Sequence, residues 1–230
     1  MPHAFHVHNK TISIGDVIAT QPHIWAIPGL KDVTAETFPV VSIVKGVAFS
    51  LVDLTEAPEV FARVKAGQAP AATLDTDWGS GLVGCLYYVR RMCEEKEGEV
   101  TLQKIRQRMI VSGIEDPGTG SAGCALACYL ALHQPCSDHA PDQHDRGVKD
   151  KVPTSESSLE DKFQSIDIKS KKEKESHVFG IEQGVEMGRK SMMCVEVDII
   201  ENEAGERVIS RVLLSGRAVF VSRGELFGTC

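Results

Sequence analysis

The sequence predicts an α/β (α+β) fold in which mixed and antiparallel strands wrap a central apolar helix, and three observations carry that expectation. From Val40 onward the chain reads strand, helix, strand, strand, an order that belongs to mixed architectures. The run "CALACYLAL", residues 124–132, is apolar at almost every position. A helix there has no face to give to water and must be surrounded. Near the end, "MCVEVDI" and "RVLLSGRAVFVSRG" alternate apolar and polar residues, the period of antiparallel strands joined by short turns.

Each element follows in order. The first forty residues carry the weakest pattern, although "HAFHVHN" alternates and puts His6 and His8 on one side of a short strand. Two histidines so placed suit a metal, but a site needs a third ligand that the sequence does not nominate. Packed or solvent-facing histidines, and no metal, are therefore expected. "VVSIVKGVAFSLVDL" is β-branched and broken by Gly46, which reads as two strands or one bulged strand. "APEVFARVKAG" has Pro58 at a helix start, Val60, Phe61 and Val64 at helical spacing, and Gly67 as a stop. "GLVGCLYYV" reads as a strand, and "KIRQRMIVS" as a strand leading into a loop. Residues 133–176 are polar, charged and poor in large apolar side chains. Such a stretch buries too little surface to offset its ordering entropy, so a disordered insertion is expected there. "HVFGIEQGVEMGRKSMMCVEVDII", a turn at "ENEAGER" and "VISRVLLSGRAVFVSRGEL" complete a terminal meander.

Composition bounds the function. With 230 residues, 42% hydrophobic and 25% charged, the chain can bury a sizeable core. A net charge of -7 with only 6% aromatic residues argues against nucleic acid, which asks for a basic patch and stacking platforms. No apolar run is long enough for a membrane span, and "MPHAFHVHNK" lacks the pattern of a signal peptide. A cytoplasmic protein is expected. The 7 cysteines are odd in number and contain no CxxC, so they read as reduced core thiols rather than disulfides or zinc ligands.

The chemically suggestive stretch is "GIEDPGTGSAGCALACYLAL", residues 113–132. A helix starting between Thr119 and Ala122 leaves its first N–H groups without intrahelical partners. Gly118 and Gly120 would let a ligand approach the backbone, and Thr119 or Ser121 would cap. Together they suit a carboxylate or phosphate. Asp116, held by Pro117, stands just before this seat, where a bound anion would raise its pKa and favour the proton-carrying form. It is neither a Walker A loop nor a dinucleotide fingerprint.

This stretch, together with "IEQGVEMGRKS" and "VLLSGRAVFVSRGEL", resembles the three C-terminal signatures of the PhzF-like phenazine-biosynthesis family, which shares the diaminopimelate epimerase fold. "PVVSIVKGVAFSLVDL" and "RQRMI" are similar to upstream pieces of that family. The resemblance implies two similar domains, each a strand-wrapped helix, with an active site in the cleft between them. It also implies a cofactor-free isomerase or epimerase acting by proton transfer on a small organic acid. Asp116 would match the active-site aspartate, while Gly118, Thr119, Gly120 and Ser121 would contact substrate. Gln183 and Arg189 would be partly structural.

The departures are equally specific. The family's acid/base glutamate motif and its Gly-His-Pro motif are absent, and "TAETF", residues 34–38, directly precedes the second-domain match, so Glu36 is not carried over. The chain then reads as a remnant of the first domain at 1–38 followed by the C-terminal domain at 39–230, with the first domain largely missing. A non-catalytic half-protein that binds a ligand, a second copy or a partner subunit is the alternative expectation.

Overall fold

The computed structural model describes residues 4–79, 81–91, 94–95, 101–133 and 174–216. In chain order these form β1 (His6–Val7), β2 (Ile12–Ser13), α1 (Ile14–Thr20), two 3-10 turns (Pro22–Ala26 and Pro28–Asp32), β3 (Thr37–Phe38), β4 (Val40–Val44), β5 (Val47–Asp53), α2 (Pro58–Arg63), β6 (Leu82–Arg90), β7 (Glu94–Glu95), β8 (Thr101–Val111), β9 (Ile114–Asp116), α3 (Gly120–His133), β10 (Glu175–Gln183), β11 (Ser191–Glu201) and β12 (Arg207–Gly216). One large mixed sheet runs β1-β4-β5-β6-β8-β10-β11-β12, with β7 and β9 also paired to β8, while β2 and β3 pair separately. No helix among the described residues is long and apolar enough to cross a membrane.

Gly46 resolves the choice left open by its flanking sequence. It sits at φ +82, a conformation that L side chains resist, and turns β4 back antiparallel onto β5. β5 and β6 are parallel, so a crossover is required between them, and α2 lies on it. Pro58 occupies its first turn, but α2 stops at Arg63, before the expected Gly67. The reason is lateral. Arg108 on β8 donates from Nη1 to the carbonyls of Phe61 and Ala62 at 3.0 and 3.3 Å, satisfying the last turn's acceptors. The same guanidinium makes a two-pronged pair with Glu115, at 2.8 and 2.7 Å.

Strand alternation divides the core between two faces. Val41, Phe49, Leu86, Ile105 and Met109 join α3 on one face. Val40, Val52, Tyr87 and Ile110 join α1, α2 and the 3-10 turns on the other. At the start of α1, Ser13 accepts the Asp16 N–H at 3.1 Å while its own N–H donates to the Asp16 carboxylate at 2.8 Å, a reciprocal capping box. The N-terminal segment is thus a covering layer for the sheet.

α3 takes no such one-sided role. Residues 122–128 are all buried, and α3 touches β4, β5, β10, β11 and β12. Because β8 and β10 are parallel, α3 also serves as part of their crossover. β10, β11 and β12 then form the antiparallel succession read from the sequence. β10 begins at Glu175, inside the stretch assigned to a polar insertion. The expected disorder at 134–173, and the final part of the third family signature from 217 onward, lie outside the described residues.

The outward face of β10–β12 carries polar groups. Asp198 is 2% exposed and lies directly across from Ser176 and Arg211. Burial would raise its carboxyl pKa, but hydrogen bonds from Arg211, Ser176 and Lys174 outweigh that and hold it below the usual carboxylate range.

Two outcomes test this account. Arg108→Ala should cost about 3–5 kcal/mol in denaturant unfolding, because Glu115 stays buried without its partner. Asp198→Asn should be destabilised at neutral pH. Since the folded-state pKa is depressed, the wild-type advantage is complete above the unfolded value of about 3.9. It should shrink as pH falls through the lower folded value, so unfolding midpoints of the two proteins should converge in acid.

Candidate functional site

The stretch singled out in the sequence folds as a corner between β9 and α3. Ser112 and Gly113 take φ +48 and +85, reversing β8 onto β9 so that Asp116 pairs with Met109. The Asp116 side chain then turns back on its own chain. Oδ1 accepts the Gly118 N–H at 3.0 Å and Oδ2 accepts the Thr119 hydroxyl at 2.7 Å. Thr119 in turn receives the Gly123 N–H on its carbonyl at 3.1 Å. It is the residue from which α3 departs.

A buried glutamine fixes this corner to the sheet. Gln183, fully buried at the end of β10, donates from Nε2 to the Asp116 carbonyl at 2.6 Å and to Thr119 Oγ1 at 3.2 Å. Its Oε1 accepts the Thr119 N–H at 3.0 Å and Gln107 Nε2 at 2.7 Å. One side chain therefore ties β8, β9, β10 and the first turn of α3 together. Gly184 follows at φ +72, where an added Cβ would stand 2.4 Å from the Arg189 carbonyl oxygen and 2.9 Å from that of Pro117. No larger residue fits there without moving the backbone.

The structure brings Asp116, Gly118, Thr119, Gly120 and Ser121 together at this corner, with Asp116, Thr119, Gly120 and Ser121 half-buried and Gly118 exposed. The space beside the two glycines is occupied by protein. A Cβ on Gly118 would lie 3.0 Å from Ser191 Oγ, and one on Gly120 would lie 2.6 Å from Leu214 Cδ2. The Leu214 tip is flexible and 41% exposed, so this wall can yield. The Asp116 carboxylate sits at the positive end of α3, where a negative charge is favoured.

Gln183 has the structural part expected of it, whereas Arg189 is exposed and its side chain pairs with none of the described carboxylates. The sequence reading missed Gln107. Its signal was a polar residue inside "KIRQRMIVS", where the strand is buried. Glu36 is exposed and contributes only its backbone carbonyl to the start of α1. His6 and His8 do converge, and Asp75, which no sequence pattern nominates, joins them.

No protein-family model matches the chain, and no curated protein matches it. Among solved structures, the chain is similar to the crystal structure of the Bacillus anthracis phenazine biosynthesis protein of the PhzF family, with 13% identity and a TM-score of 0.37. The alignment covers 93% of this chain and 57% of that one. The chain spans little more than half of the neighbour's length.

The corner's dependence on Gln183 is measurable. Gln183→Leu removes partners from buried Gln107 and from the half-buried Thr119 N–H and Asp116 carbonyl at once, and each orphaned group costs up to about 1–3 kcal/mol, the most where it is fully buried. A loss of at least about 3 kcal/mol in guanidinium unfolding is expected, together with faster amide exchange at Thr119.

Proposed function

We propose that the N-terminal corner of α3 is one wall of a cleft for a small organic acid. In this reading the chain belongs to a PhzF-like, cofactor-free isomerase or epimerase that acts by proton transfer. Gly118, Thr119, Gly120 and Ser121 line the seat of the substrate carboxylate, the N–H groups of Gly118 and Thr119 being engaged by Asp116 and Gln183, and Asp116 is the acid that exchanges a proton with substrate carbon. The observation that carries this reading is the carboxylate seated immediately before a helix whose first N–H groups have no intrahelical partners. Those N–H groups favour an anion. An anion brought beside Asp116 disfavours its charged form. Thr119 supports both protonation states, because its hydroxyl donates to the carboxylate and can accept from the acid. The base on the opposite face of the substrate is assigned to the domain that the family resemblance places across the cleft.

A second reading, a non-catalytic ligand-binding or subunit-interaction half-protein, is favoured by one observation. Leu214 is 41% exposed and lies beside Gly120. An exposed apolar side chain at the corner suits a second copy or a partner subunit.

A panel of small mono- and dicarboxylates tests both. The catalytic reading expects saturable thermal stabilisation and exchange of a substrate C–H proton with D2O, with exchange reduced about 10²–10⁴-fold in Asp116→Asn. Undiminished exchange in that variant removes the assigned role. Carboxylate binding without exchange, or self-association abolished by Leu214→Asp, supports the second reading.

A further inference from the structure

We infer that His6, His8 and Asp75 form a binding site for a divalent metal ion of the zinc type, held by three protein ligands with a fourth position open to solvent. One ligand atom from each lies within 4.8 Å of the others. His6 Nε2 is 2.8 Å from Asp75 Oδ2, and His8 Nδ1 is 3.9 Å from the same oxygen. Ligands about 2.0–2.1 Å from a tetrahedral ion stand roughly 3.3 Å apart. The first pair must therefore open by about half an ångström, His8 must close on Asp75 by about as much, and the two histidines, whose ligand atoms lie within 4.8 Å, must approach by up to about 1.5 Å.

The atoms around the three ligands are arranged as supports. The Asp75 backbone N–H, which can only donate, points to His8 Nδ1 at 3.1 Å. Nδ1 is therefore the unprotonated nitrogen, and Nε2 carries the proton and donates to Ser42 Oγ at 2.9 Å. That hydrogen bond orients the imidazole with its lone pair toward Asp75, which is how metal-ligating histidines are held. Asn9 does the same for Asp75, donating its backbone N–H to Oδ1 at 3.1 Å and its side-chain amide to Oδ2 at 3.0 Å. The Trp78 ring stacks on His6 with centroids 4.4 Å apart and planes 9° from parallel, which fixes the third ligand's ring.

Without metal, hydrogen bonds hold the same geometry. On binding, a neutral His6 shifts its Nε2 proton to Nδ1, or a doubly protonated His6 releases its Nε2 proton to solvent; the Nε2 lone pair then turns to the ion, and the ion displaces the Asp75 N–H from His8 Nδ1. Solvent reaches the cluster through Asp75 and His6. The His8 side chain is fully buried, whereas those of Asp75 and His6 are 18% and 33% exposed. Nitrogen and carboxylate donors together suit zinc and neighbouring divalent ions of the first transition row, and disfavour soft monovalent copper. An ion here joins the strand at one edge of the sheet to the loop that precedes β6.

Equilibrium dialysis of the full chain against zinc chloride tests this, with His6→Ala, Asp75→Asn and, as a surface-histidine control, His23→Ala. The expected result is one zinc per chain, with affinity unchanged in the control. In each ligand variant affinity should fall by at least about 100-fold, the upper end of what losing even an outer-shell partner costs. Circular dichroism checks that the variants fold. Cobalt loading of the unaltered chain gives an independent reading, because nitrogen and oxygen ligation shows visible bands without the near-ultraviolet thiolate transition. No zinc uptake by the folded chain, uptake undiminished in both ligand variants, or a cobalt–thiolate band would overturn the site.

Discussion

The constraint on which the rest of the structure depends is that α3 has no polar side. Residues 122–128 are buried without interruption, so the hydrophobic gain of placing them is realised only if protein covers the helix all round. The sheet answers by supplying strands from both halves of the chain, β4 and β5 as well as β10, β11 and β12. A buried helix also has two buried ends, whose backbone groups cannot rely on water. At the start the solution is Thr119 with Gln183. At the finish Arg207 donates to the carbonyls of Ala131 and Leu132. The polar corner at Asp116 is therefore required by the apolar helix, and any role in binding is built onto that requirement.

The sheet treats its two faces differently along its width. Around β4, β5, β6 and β8 the second face is closed by α1, α2 and the 3-10 turns, so the buried polar residues there need internal partners. Arg108 with Glu115 meets that need and also ends α2. Across β10–β12 the outward face instead carries a charged lattice centred on Asp198. Its partners Lys174 and Arg211 remain about half exposed, which keeps desolvation modest and lets one carboxylate be buried with several donors.

Legibility in the sequence followed the range of the forces involved. The break at Gly46, the Pro58 start of α2 and the departure of α3 near Gly120 were readable because each is encoded within a few residues. The parallel pairings were not readable. Nothing in "GLVGCLYYV" says that it runs parallel to β5, because parallel pairing is set by the crossover rather than by the strand. Gln107 looked like an ordinary polar position and Gln183 stood out only through the family resemblance, since their value comes from meeting each other and Thr119 across the fold. Asp75 belongs to the same class. Its loop carries no periodic signal, and its carboxylate reaches His6 from 69 residues away.

The parallel pairing of β8 with β10 bears on how the chain reaches this state. β10 can join β8 only after everything from 112 to 174 has been synthesised and brought round, and such non-local pairing is slow to form. α3 is complete well before that, with none of its eventual cover from β10, β11 and β12. Until those strands arrive, the 14 residues of α3, about 21 Å of helix, lack three of the five strands that cover them in the native fold. The feature that organises the native core is thus also the surface most open to aggregation during folding, and the yield of folded protein rests on how quickly the last three strands close over it.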